Sequence, residues 1–166
     1  MFRARIVCVI FCSVFVVTAC WAQQDDQSVA SCNLDDGKQI AIRFTPVTTK
    51  KEKAPNGKPW EPGGSPMTLF TDTQLAFGSS TIPPGAYTLY PIPGKEWTLV
   101  VNKNVTPHSP YDEKQDIARS SVETDQVTEP SDDLEVAFAH VGEKCTLRIY
   151  FGKAAVFAPF TAKSGS

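Results

Sequence analysis

The stretch PPGAYTLYPIPGKEWTLVVNK, residues 83–103, decides the fold class. Tyr87 and Leu89, then Trp97, Leu99 and Val101, recur at every second residue, the period that places side chains on one face of a strand. Pro93 and Gly94 stand between the two runs, where a turn needs a fixed φ followed by a residue tolerant of positive φ. The stretch predicts a β-hairpin with one apolar face, and it carries no catalytic motif.

Outward from the hairpin, the same alternation recurs in short runs. Ile40, Ile42 and Phe44 share a face after an Asp35-Asp36-Gly37 turn, and residues 67–70 and 74–77 are two more candidate strands. Later, Leu134, Val136, Phe138 and His140 alternate up to a turn at Gly142, and Leu147, Ile149 and Phe151 alternate after it. Residues 154–160 end the series. With 13 prolines and 10 glycines as punctuation, the pattern predicts an all-β protein: an antiparallel β-sandwich of about eight strands.

Two segments break the alternation. Ser109, Pro110 and Asp112 supply an N-cap residue, a proline at the first helical position and an acid in the first turn, with Arg119 at the far end, so one short helix is expected over 110–118. Residues 46–66 hold five prolines and four glycines or asparagines and read as a long surface loop.

The N-terminus predicts export. Arg3 and Arg5 precede an apolar run over 6–17, too short to span a bilayer and of the length of a secretory core segment. Two processing routes fit: cleavage after Ala22 of a signal peptide over 1–22, or a lipoprotein signal over 1–19 with Cys20 acylated. The first leaves roughly 140 residues, enough for one domain and too few for two. Residues 23–34 are read as an N-terminal segment and 35–162 as a single sandwich domain, extracytoplasmic and touching a membrane only through a lipid on Cys20.

Of five cysteines, Cys8 and Cys12 go with the leader and Cys20 goes with it or carries lipid. Cys32 and Cys145 remain, and in an oxidising compartment they predict one disulfide closing most of the domain, for a stabilisation of roughly 4 kcal/mol. Neither has a second thiol or a histidine at ligand spacing in the sequence around it, so no metal site and no cofactor are expected. A net charge of −2 argues against a nucleic-acid partner. Lys50, Lys51, Lys53 and Lys58, and the acids Glu123, Asp125, Glu129, Asp132 and Asp133, read as solvated loops.

The chain has no GxSxG, HExxH, P-loop or GxGxxG. The candidate catalytic residues are His108 with Asp112 or Asp116, because a carboxylate can orient an imidazole that titrates near neutrality. The candidate ligand contacts are Trp60, Glu61 and Tyr111, since exposed aromatic rings stack on sugars or grip a partner. Two functions follow as expectations: a non-enzymatic binding or envelope-associated module for a small molecule or glycan, or a hydrolase or metal-dependent enzyme centred on His108.

The order of motifs resembles a known family. DGKQIAIRF over 36–44, Trp60 followed by Gly63, PPGAYTLYPIP over 83–93, WTLVVNK over 97–103 and CTLRIYF over 145–151 are similar to the secreted bacterial family known as domain of unknown function 2911. The resemblance spans nearly all of the chain after the leader, and paired cysteines in these places resemble a subset of the family. It implies fold and compartment but no chemistry, because the family has no established activity. Where the family reads W-R-T-G-A-N-E-A-T, this chain reads W-E-P-G-G-S-P-M-T over 60–68, so Glu61, Ser65 and Pro66 replace its Arg, Asn and Glu.

Overall fold

The computed structural model describes residues 27–163. The predicted leader, the cleavage at Ala22 and the lipidation of Cys20 lie outside the described residues. Nine strands follow in order: β1 (Ser28–Asn33), β2 (Gln39–Phe44), β3 (Met67–Thr71), β4 (Leu75–Phe77), β5 (Ser80–Ile82), β6 (Gly85–Ile92), β7 (Trp97–Asn102), β8 (Asp116–Val141) and β9 (Lys144–Ala162). They form one open antiparallel sheet in the order β1-β2-β3-β6-β7-β8-β9-β4-β5. The fold class read from the sequence is the one found. β1 lies within the stretch 23–34 that the sequence sets apart as an N-terminal segment.

The hairpin predicted over 83–103 is β6–β7, paired from Thr88↔Asn102 to Ile92↔Thr98. Tyr87, Leu89, Trp97, Leu99 and Val101 all enter the core. Gly94 differs from expectation, because its φ is not positive. The space there is tight instead, since a Cβ would stand 3.1 Å from the Glu96 carbonyl oxygen.

The long strands fold the sheet back on itself. β8 pairs with β7 through its first part and with β9 through the rest, and the β8–β9 register breaks between Gln126 and Ser131 and again before Glu135. Pro130 can donate no ladder hydrogen bond, and Gly152, paired opposite Ser131, has a φ of 59°, so both strands bend here. The bend brings the C-terminal end of β9 beside its own start, where Ala162 N–H donates to the Glu143 carbonyl at 2.8 Å. Leu89 and Leu99 then share one core with Leu147, Ile149 and Phe160, which gives the two-layer character of a sandwich. The acids at 123–133 sit on this strand and its bend, where Asp132 and Asp133 pair through their backbones with Thr49 and Thr48.

The helix expected over 110–118 is absent. A single 3-10 turn, Glu113–Gln115, takes its place, and Asp112 caps it by accepting from Lys114 N–H at 3.0 Å. The capping chemistry is real, but β7 would be left with an unpaired edge, and its ladder captures the chain from Asp116 onward. Ile117 is the extra residue of a bulge opposite Val101 and Asn102, which lets Ala118 and Val122 turn inward and Arg119 outward.

Candidate functional site

Residues on the other face of the β6–β7 hairpin build a polar cluster. Tyr90, Val100 and Arg119 are register partners across β6, β7 and β8, as are Thr88, Asn102 and Asp116. Residues 103–115 fold over this face. Thr88 Oγ1 donates to the Asn104 carbonyl at 2.7 Å, and Asn102 Nδ2 donates to the Asp112 carbonyl at 2.9 Å and to Asp116 Oδ1 at 2.8 Å. Asn102 Oδ1 in turn accepts from Asn104 N–H at 2.9 Å.

Tyr111 lies edge-on to Tyr90, ring centres 5.0 Å apart. Its hydroxyl donates to Asp116 Oδ2 at 2.7 Å and accepts from Arg119 Nη2 at 2.6 Å, while the same guanidinium nitrogen reaches Asp116 Oδ2 at 3.0 Å. Glu113 adds a looser contact at 3.5 Å. The Asp116 side chain is 12% exposed and the Arg119 side chain 41%, so the carboxylate is enclosed and the guanidinium keeps one side toward solvent.

The electrostatics follow from this packing. Burial, then the hydrogen bond and charge of Asp116, push Tyr111 up to about 12. Burial raises Tyr90 as well, helped by the charges of Glu61 and Asp116. Desolvation works against the charge on Arg119, but Asp116, Tyr111 and Glu113 together outweigh it and its pKa rises.

The sequence-derived candidates are thus divided. Tyr111 and Asp116 come together, with Glu61 within electrostatic reach. Asp112 is spent on capping. His108 is exposed at a φ of 56°, and no hydrogen bond or ion pair joins it to Asp112 or Asp116 among the described residues.

Trp60 is not a surface ring. It is 2% exposed and packs edge-on to Trp97 and against Phe151 at 4.8 Å between centres, while Nε1–H donates to Glu52. Glu52 also accepts from Gly63 N–H at 2.9 Å, and Trp60 N–H donates to the Pro91 carbonyl at 2.8 Å. The ligand-contact role expected of an exposed Trp60 gives way to anchorage of the 46–66 loop, because burying an indole outweighs leaving it on the surface.

Two concavities, of about 340 Å³ beside Phe77, Ser120, Glu123 and Lys144, and about 170 Å³ beside Leu34, Asp36, Gly142 and Lys163, are lined by none of Trp60, His108, Asp112 and Asp116.

The predicted disulfide joins Cys32 on β1 to Cys145 on β9, Cα atoms 6.2 Å apart. Sequence reasoning found no histidine near these sulfurs, but the structure supplies one. His140 pairs with Cys145 across the turn at Gly142, and one of its ring nitrogens and both sulfurs lie within 4.8 Å of one another. The signal was available: a tight hairpin turn at Val141–Lys144 places residue 140 opposite 145.

Residues 27–160 match the family described as Protein of unknown function (DUF2911), which is most of the chain. The chain belongs to that family. No curated protein and no solved structure matches it. Against the DUF2911 pattern, the departures at 60–68 are now placed. Glu61 immediately precedes a 3-10 turn, Pro62–Gly64, and its charge reaches Tyr90; Ser65 N–H closes that turn on the Pro62 carbonyl, and Pro66 leads into β3. Glu61 thus adds its negative charge to that of Asp116 in raising Tyr90.

Proposed function

We propose that this DUF2911 member is an exported, non-enzymatic binding module. Its recognition surface is the outer face where residues 103–115 lie across β6, β7 and β8. The observation that carries the reading is the Arg119–Tyr111–Asp116 relay. Asp116 accepts from Asn102, Tyr111 and Arg119, and the groups whose proton affinity the cluster alters, Tyr90, Tyr111 and Arg119, all move away from neutrality. Groups held that way serve as fixed donors and acceptors and are poorly suited to moving protons at pH 7.

Arg119 offers hydrogen-bond donors from its solvent side, with Glu113 and Glu61 as flanking acceptors, an arrangement suited to a hydroxyl-rich ligand such as a glycan or a small polar molecule. The leader pattern and the disulfide support an extracytoplasmic setting.

Isothermal titration against a glycan and small-molecule panel tests the ligand, with Arg119→Ala as control. Binding lost in that variant is the expected result, and no binding at all, or binding equal in both proteins, would discard the reading. Mass spectrometry of the exported chain separates a free N-terminus at Gln23 from a lipid on Cys20.

A further inference from the structure

We infer that the Cys32–Cys145 disulfide is the oxidised form of a metal site, and that on reduction Cys32, Cys145 and His140 hold one thiophilic d10 cation, Cu(I) or Zn(II). Three residues from three strands supply the ligand set. One imidazole nitrogen and the two sulfurs already lie within 4.8 Å of one another, and Cys145 and Cys32 are buried while His140 is exposed above them. Breaking the S–S bond lets the sulfurs separate to the spacing two thiolates take around one ion, with the imidazole as the third member of a trigonal set.

A backbone contact sets the tautomer of the histidine. His140 Nε2 lies 2.6 Å from the Gly142 carbonyl. A carbonyl can only accept, so Nε2 carries the proton in the neutral ring and Nδ1 keeps the lone pair. A ring N–H held by a backbone carbonyl is how metal-bound imidazoles are commonly fixed. Gly142, at a φ of 57°, makes the turn that sets this carbonyl.

The fold also provides access. β1 is an edge strand, hydrogen-bonded to β2 alone, so its local opening exposes the sulfurs at the margin of the core, where Ala30 and Cys32 pack. The 170 Å³ concavity at the same end is lined by Leu34 and Gly142, two residues beyond Cys32 and His140.

The redox step balances with a dithiol as reductant. Two electrons and two protons pass from the dithiol, which closes its own S–S bond, to the Cys32–Cys145 bond, which opens to two thiols. Binding of the cation then displaces both thiol protons. Soft thiolates with one imidazole suit three-coordinate Cu(I), and Zn(II) fits if water takes a fourth position.

The test reduces the purified chain with a phosphine, removes the phosphine without oxygen and adds Cu(I) or Zn(II) against a competing chelator. One equivalent retained by the reduced chain and none by the oxidised chain is expected, with affinity falling at least about tenfold in His140→Ala. A thiol count in that variant before reduction must show the disulfide intact. Uptake of either ion on these terms supports the site and identifies the ion. No uptake by the reduced chain, or equal affinity in His140→Ala, overturns it. If reduction unfolds the chain, recovery of the β-sheet circular dichroism on adding the ion, in wild type and not in His140→Ala, supports the site, and failure to recover overturns it.

Discussion

Asn102 is 1% exposed and joins three segments: its amide donates to the Asp112 carbonyl and to Asp116, and its oxygen accepts from Asn104 N–H. Asn102→Ala leaves those groups without partners in a place water reaches poorly. The expected loss is about 2–3 kcal/mol in urea unfolding, with residues 103–115 released to proteolysis before the rest. Tyr111 gives a prediction of sign. Its folded-state pKa of about 12 lies above the ordinary 10.0, so the folded chain holds the proton that the unfolded chain gives up first. Its contribution to stability is therefore complete below pH 10 and disappears as pH rises toward 12. Ultraviolet titration of tyrosinate should show this late step, absent in Tyr111→Phe and moved to lower pH in Asp116→Asn.

Among the elements, the 46–66 loop departs most from its appearance in sequence. Five prolines and several glycines suggest a free surface excursion, but Trp60 inserts between Trp97 and Phe151 and Glu52 ties both Trp60 and Gly63. Trp60→Ala should cost about 3–5 kcal/mol, read from the shift of the thermal or urea transition. Gly63 sits at a φ of 69°, and a Cβ there would come 2.7 Å from Thr45 Cγ2, so Gly63→Ala should destabilise by about 1–3 kcal/mol although the residue is exposed. A surface glycine elsewhere, Gly57, meets nothing within 4 Å and serves as the control that separates strain from crowding. The lost helix teaches the same lesson from the other side. Ser109-Pro110 and Asp112 are sound start signals, yet a helix of two turns is worth little against the ladder that an open β7 edge offers.

Over the whole molecule, one staple joins β1, at one edge of the sheet, to β9, the last strand in sequence, across 113 residues. Cys32→Ala with Cys145→Ala should lower stability by about 4 kcal/mol in equilibrium unfolding, mainly by loosening the constraint on the unfolded chain. The bend in β8 and β9 makes the two inner faces meet, and it depends on Pro130 and Gly152 more than on any apolar residue.

The all-β class, the β6–β7 hairpin with its inward stripe, the disulfide pair and the family were legible in the sequence, because they rest on local periodicity, turn chemistry, simple counting and the order of motifs. It could not see β8 as one strand, since a bulge at Ile117, a bend at Pro130 and charged residues interrupt the alternation that marks strands. Only the tertiary structure decided which polar residues meet. Tyr111, Asp116 and Arg119 converge because β7 draws residue 116 onward into its ladder, and Cys32 reaches the His140–Cys145 pair because β1, distant in sequence, packs against the β8–β9 hairpin. Asn102 joins the first group from the neighbouring strand and Cys32 joins the second from the far end of the chain, and pairing of that kind leaves no mark at any fixed spacing along the sequence.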